Sequence, residues 1–270
     1  MVINLRKILY GIFIWTIIAV IYSPIIVLVV FSFSETAFID FGNFQFGFDL
    51  YRQLFANRAI TEAIINTFVV AIVAALTATF IGTVACVGIL AMKKRTRGFV
   101  MSLNQIPLIN ATIITSFSLM ILFITLGIFN AGYIQLILSH TLLCLPVVAL
   151  VVLPRLRSLD PNLFEAAQDL GARPVHALFS VVIPQLIPAM IVAFLLGFTF
   201  SLDDFIITQH NRGAGAVSTI STIAYSARNG PPAALRALST LLFGVVVIVV
   251  IALNVGLWRR QRKLQKLQNR

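Results

Sequence analysis

Charge is what this sequence has least of. Of its 270 residues only 11% are Asp, Glu, Lys or Arg, while 59% are hydrophobic. Soluble domains carry roughly 25% charged residues, so an ordinary water-soluble fold is excluded, as the mean hydropathy of +0.99 also requires. Cysteine is scarce. Cys86 and Cys144 both lie in apolar runs and read as small buried hydrophobes rather than as a disulfide or thiolate metal site. His140, His176 and His210 are scattered and form no ligand pattern, so no metal site is expected. No Gly-Lys pair occurs anywhere, which removes the phosphate-cradling Walker A loop. No soluble stretch is long enough for a fused nucleotide-binding domain, and no repeat period suggests a solenoid. The chain is expected to hold no cofactor of its own and to catalyse no reaction.

Long apolar runs are what it has instead. A bilayer is crossed by about 20 mostly apolar residues, and six runs qualify, at about 8–33, 63–92, 99–126, 132–154, 185–207 and 237–257. The expected fold is all-α: a polytopic membrane protein with six transmembrane helices, forming one domain over 1–270 with lipid as its solvent. The first run begins after Arg6 and Lys7 like a signal peptide. It outruns the roughly 7–15-residue core of one and lacks a small-residue cleavage site, so it reads as an uncleaved first span.

The formal charge of +11 is distributed as a topology signal. Lys93, Lys94, Arg95 and Arg97 separate two runs, and Arg259, Arg260, Arg262, Lys263, Lys266 and Arg270 follow the last. With both termini in the cytoplasm, 15 Lys and Arg fall inside and 5 outside, which is the orientation that cytoplasmic basic loops dictate. Removing the spans leaves no folded basic module, so nucleic acid is not an expected partner. Outside, "FDLYRQLFANRAITEAI" has helical spacing and is expected to lie along the interface. "RGAGA" and "RNGPP" mark turns in 208–236.

The longest inside connection, 155–184, is polar and punctuated. Asp160 suits a helix start and Pro161 its first position. "PNLFEAAQDL" then reads as a short helix that Gly171 ends in a left-handed cap, and Pro174 opens a second. Leu163, Ala166, Ala167 and Leu170 share one face of the first. This segment, "EAAQDLGARPVHALFSVVIP", resembles the EAA loop of permease subunits of ATP-binding-cassette importers. Glu165, Ala166, Ala167, Gly171 and Pro184 match the pattern, and Val181 and Ile183 stand where the family has Ile and Leu. "FTFSLDDFIIT" at 198–208, "RALSTLLF" at 236–243 and "SPIIVLVVFSFSE" at 23–35 are similar to the PotC-type permeases of the spermidine/putrescine family. Importers of iron, aminophosphonates or other small ligands share parts of these motifs, so the substrate stays open.

The resemblance implies a bacterial inner-membrane, multi-pass subunit whose coupling helix, carrying Glu165, Ala166, Ala167 and Gly171, docks on a separate ATPase. It implies a second permease subunit, an ATPase dimer that binds the ATP and Mg, and an extracytoplasmic substrate-binding protein. Asp203 and Asp204 are the only acidic residues within a run. Carboxylates at depth are costly and normally functional, and with Phe200 and Phe205 they suit the ammonium groups and methylenes of a polyamine. The alternative is that both aspartates sit at a wet span end or cap a short outer helix. Two rival classes are weaker. A gradient-driven transporter would need midplane ionisable groups and inverted repeats, and a membrane enzyme would need a His or Cys constellation.

Overall fold

A computed structural model of the chain describes residues 5–35, 42, 44–160, 162–213, 217–227, 231–248 and 251. These residues are helical almost throughout, and their one β-bridge joins Ser34 and Phe46. The chain divides into two units, one of residues 1–61 and 227–270 and one of residues 62–226.

The first unit contains α1 (Leu5–Ser32) and α2 (Asp49–Ala56), and a later apolar helix, α12 (Ala234–Ile248). Backbone bonds from Gly47 N to Phe33 O (2.7 Å) and from Glu35 N to Gln45 O (3.0 Å) fold the segment after α1 back on itself. Phe33 is the centre of the resulting aromatic cluster. It stacks on Phe46 at 5.8 Å and meets Tyr51 at 5.3 Å. The expected interfacial helix is α2, with Leu50 and Leu54 buried and Arg52 outward. Asn57 stops it and starts α3 (Arg58–Ala91), taking the Ala59 amide on its side-chain oxygen at 3.1 Å.

The second unit holds most of α3, then α4 (Lys94–Ile109), α5 (Thr112–Thr125), α6 (Tyr133–Arg157) and α7 (Asn162–Asp169). It continues with α8 (Pro174–Ala177), a π-helical turn (Leu178–Val182) and α9 (Ile183–Asp203), then α10 (Ile206–Asn211) and α11 (Ile220–Ser226). Its core joins α3, α6 and α9 through Ala78, Cys86, Cys144, Val148, Leu186 and Ala193. Hydrophobicity does not separate helix from lipid, so helices in bilayers associate through close backbone approach at small residues. Ala74, Ala78, Gly82 and Cys86 recur every four residues on α3 and supply such a stripe. A Cβ on Gly82 would stand 2.7 Å from Val148 Cγ1, so only glycine fits there. Both cysteines are free and buried in this packing.

Among the described residues four helical stretches are long and apolar enough to cross a membrane: Tyr10–Ser32, Arg58–Ala91, Tyr133–Arg157 and Pro174–Asp203. A fifth would be the pair α4 and α5, which meet at 107°. The run 99–126 is therefore not one straight helix. Asn110 and Ala111 are extended at the break, and the Asn110 side chain accepts the Ala111 amide at 3.1 Å. A short polar side chain that bonds its local backbone competes with the helix, and Pro107 has already removed one ladder donor. The last expected span, 237–257, begins within α12, and its remainder lies outside the described residues apart from 251.

Candidate functional site: an exposed short helix and a helix break

The 155–184 connection folds as its punctuation dictates. Asp160 takes the Asn162 amide at 3.0 Å and α7 follows. Pro161 lies outside the described residues. Gly171 adopts φ +88°. Its N–H donates to Gln168 O (2.8 Å) and the Ala172 N–H to Ala167 O (3.1 Å), the paired bonds of a Schellman stop. Arg173 is extended and Pro174 opens α8. No residue of α7 is buried. Glu165 and Ala166 are exposed and Ala167 is half-buried. Leu170 is 90% exposed, an outlay of apolar surface that fits a face awaiting a partner. Beside α7 lies an open pocket of about 730 Å³, lined by Val87, Leu90, Leu156, Leu163, Phe164 and Glu165 among others.

The second candidate region lies at the far end of α9. Asp203 is the last residue of α9, and Asp204 is extended in the break before α10. The two aspartates are therefore not inside a continuous helix, and they part company. Asp203 is exposed. The Asp204 side chain is only 6% exposed and lies 3.9 Å from His140 Nε2. Its carboxylate accepts the Thr208 amide at 2.9 Å and the Ile207 amide at 3.4 Å, so it caps α10. Phe200 is 47% exposed. Phe205 is half-buried, its ring 4.7 Å from that of Tyr225. Phe198 packs inward against Phe68 and Phe194.

Around Asp204 the structure assembles a polar web that the sequence does not display. His140 Nδ1 meets Ser201 Oγ at 2.7 Å and Nε2 meets Thr208 Oγ1 at 2.9 Å. Ser221 Oγ donates to Asp204 O at 2.8 Å. The Ile220 amide donates to Thr67 Oγ1 at 2.9 Å, Asn66 Nδ2 to Ser218 O at 2.9 Å, and Tyr133 Oη to Asn66 Oδ1. On the other side of α10, Asn211 Nδ2 donates to Ser116 O at 3.2 Å, and Ser116 Oγ to Ile206 O at 3.0 Å. One signal for His140 was present: an ionisable side chain inside an apolar run is a functional candidate by default. The three histidines are too far apart in sequence to suggest it.

The family model described as "Binding-protein-dependent transport system inner membrane component" matches residues 78–260, from the middle of α3 past the end of α12. The chain belongs to that family. This importer permease is 33% identical over 235 residues to the putrescine transport system permease protein PotI of Escherichia coli K12, covering 84% of this chain and 83% of that protein. It is 31% identical over 247 residues to the spermidine/putrescine transport system permease protein PotC of the same strain, covering 91% and 92%. A bacterial alginate ABC transporter, solved with an alginate-bound periplasmic protein, contains a chain of the same fold. That chain superposes with a TM-score of 0.64 at 20% identity, over 93% of both chains. The family match covers both candidate regions, α7 with its Gly171 stop and the break between α9 and α10.

Proposed function

We propose that this permease forms half of the translocation path for a small polyamine, of the putrescine or spermidine class, in an ATP-driven importer. The observation that carries the substrate reading is the likeness to two polyamine permeases over most of the chain. The chemistry at the end of α9 agrees with it. Asp203 offers an exposed carboxylate, Phe200 offers an exposed ring one turn before it, and Tyr225 offers another against Phe205. Carboxylates hold ammonium groups through charge-assisted hydrogen bonds, and rings accept both methylenes and cations.

In this reading the permease has six spans with both termini in the cytoplasm. It pairs with a second permease subunit, and each presents its coupling helix to one subunit of an ATPase dimer that binds ATP and Mg. The exposed α7, with Glu165 and Ala166 outward, is the surface for that contact. ATP binding closes the dimer, the coupling helices move with it, and the spans open outward to receive cargo from the substrate-binding protein. The role of this chain is mechanical and electrostatic.

Co-purification tests the assembly: the tagged permease should bring an ATPase and a second permease with it. Uptake by proteoliposomes supplied with the binding protein tests the cargo, with spermidine and putrescine transported and neutral or anionic solutes not. Isolation of the chain without an ATPase would overturn the importer assembly, and uptake of an anionic solute alone would overturn the substrate. Arg97→Cys labelled only from the cytoplasm and Ser226→Cys only from outside would fix the orientation; labelling of both from one side would overturn it.

A further inference from the structure

His140 lies about two turns into α6 with 1% of its surface exposed, and it uses both ring nitrogens. Its two hydroxyl partners belong to different helices, Ser201 to α9 and Thr208 to α10. They stand on either side of the Asp204–Phe205 break, so a single imidazole brackets it. Thr208 Oγ1 lies 2.9 Å from His140 Nε2 and 3.3 Å from both Asp204 Oδ2 and the Asp204 main-chain oxygen, so this hydroxyl joins the imidazole to Asp204. Asp204 thereby shares Thr208 with His140 as well as capping α10. Nothing the size of a water molecule fits among these groups, so the cluster is not itself a ligand pocket.

We propose that His140 is a positioning residue for the substrate path, and that it divides the labour of the two aspartates: Asp204 is withdrawn to lock the break, and Asp203 alone faces the cargo. This rests on the cationic path proposed above. A helix break presents two opposite ends, free carbonyls where one helix stops and free N–H donors where the next begins. The donors would repel an ammonium group. Asp204 occupies the Ile207 and Thr208 amides and cancels them. What remains toward a cation is the carbonyl end of α9 and the Asp203 carboxylate.

A charge-selective probe tests the division in the assembled transporter. Phe200→Cys, one turn before Asp203, serves as reporter, since both native cysteines are buried. The ratio of its labelling rates by a trimethylammonium and a sulfonate methanethiosulfonate reads the local charge. Asp203→Asn is expected to lower that ratio about tenfold, and Asp204→Asn less than about twofold because its carboxylate is buried and turned to the α10 amides rather than to the reporter. His140→Leu and Thr208→Val, each shown to assemble by co-purification, are expected to lower the ratio because the break no longer aims Asp203. His140→Gln and Thr208→Ser, which keep a donor and an acceptor, should restore most of it. Equal falls in the two asparagine variants would overturn the division of labour. An unchanged ratio in both His140→Leu and Thr208→Val would overturn the positioning role. A ratio near one in the Phe200→Cys parent would remove the cationic path itself, an outcome distinct from the other two.

Discussion

The two ends of the 62–226 unit are built on opposite principles. At the α7 end, order is local. Asp160, the α7 backbone and Gly171 fix α7 with bonds between residues a few positions apart, and its surface is left open. At the α10 end, order is long-range. His140 reaches Ser201 and Thr208, 61 and 68 residues away, and Thr67 reaches Ile220, 153 away. A segment that must be offered to a partner cannot spend its side chains inward. A helix break in a low-dielectric setting has the opposite need, because every freed donor and acceptor must be satisfied within the protein.

This contrast can be broken by substitution, and the largest effect is expected at Gly171. A Cβ there meets no atom within 4 Å, so only its φ of +88° is at stake. Gly171→Val forces a β-branched residue into that region at a cost of about 1–3 kcal/mol. Coupling should fail, with uptake and cargo-stimulated ATP hydrolysis lost while the protein still inserts. Wild-type uptake in this variant would show that the stop is not needed. Asp203→Asn comes next. If its carboxylate meets an ammonium at the rate-limiting state, losing about 1.5–3 kcal/mol lowers spermidine uptake about tenfold to a hundredfold. Uptake at the wild-type rate would make Asp203 a span-end residue.

Stability measurements sharpen the same contrast at smaller amplitude. His140→Leu leaves the Ser201 and Thr208 hydroxyls buried without their imidazole partner, at about 1–3 kcal/mol for a stranded group. Thermal unfolding of the purified complex should register it. Ser201→Ala added to His140→Leu should then cost less than the two separately, because the residues share one network. The smallest effect belongs to Asp160→Ala, a lost cap of about 1 kcal/mol, additive with Gly171→Ala. Additivity at the α10 end, or coupling between Asp160 and Gly171, would erase the distinction between the two ends.

The same contrast explains what could be read in the sequence. "DPNLFEAAQDLGARP" carries its own instructions, because cap, stop and restart are properties of single residues, and Asp160, Gly171 and Pro174 do in the structure what their types require. The small-residue packing of Cys86 and Cys144 was legible for a similar reason. The bend at Asn110 was less so, since hydropathy averages over the polar residues that interrupt 99–126. The division between Asp203 and Asp204 was not legible at all. Adjacent identical residues have the same chemistry, and only the approach of α6 and α10, set by packing across the unit, makes one buried and the other free.

The π-helical turn between α8 and α9 carries a consequence of its own. Ile183 N bonds Leu178 O, five residues back, so Leu178–Val182 holds one residue more than an α-helix would. Successive residues of an α-helix are separated by about 100° of rotation. Deleting one residue from this turn would convert it to regular α-helix and turn α8, with α7 joined to it, by about that angle around the axis of α9, since α3 and α6 are held by their packing on α9. No side chain of the coupling helix would change, yet the face it offers would point elsewhere. The azimuth of α7 is thus encoded as a count of residues, and a one-residue deletion could silence the transporter while leaving every side chain of α7 in place.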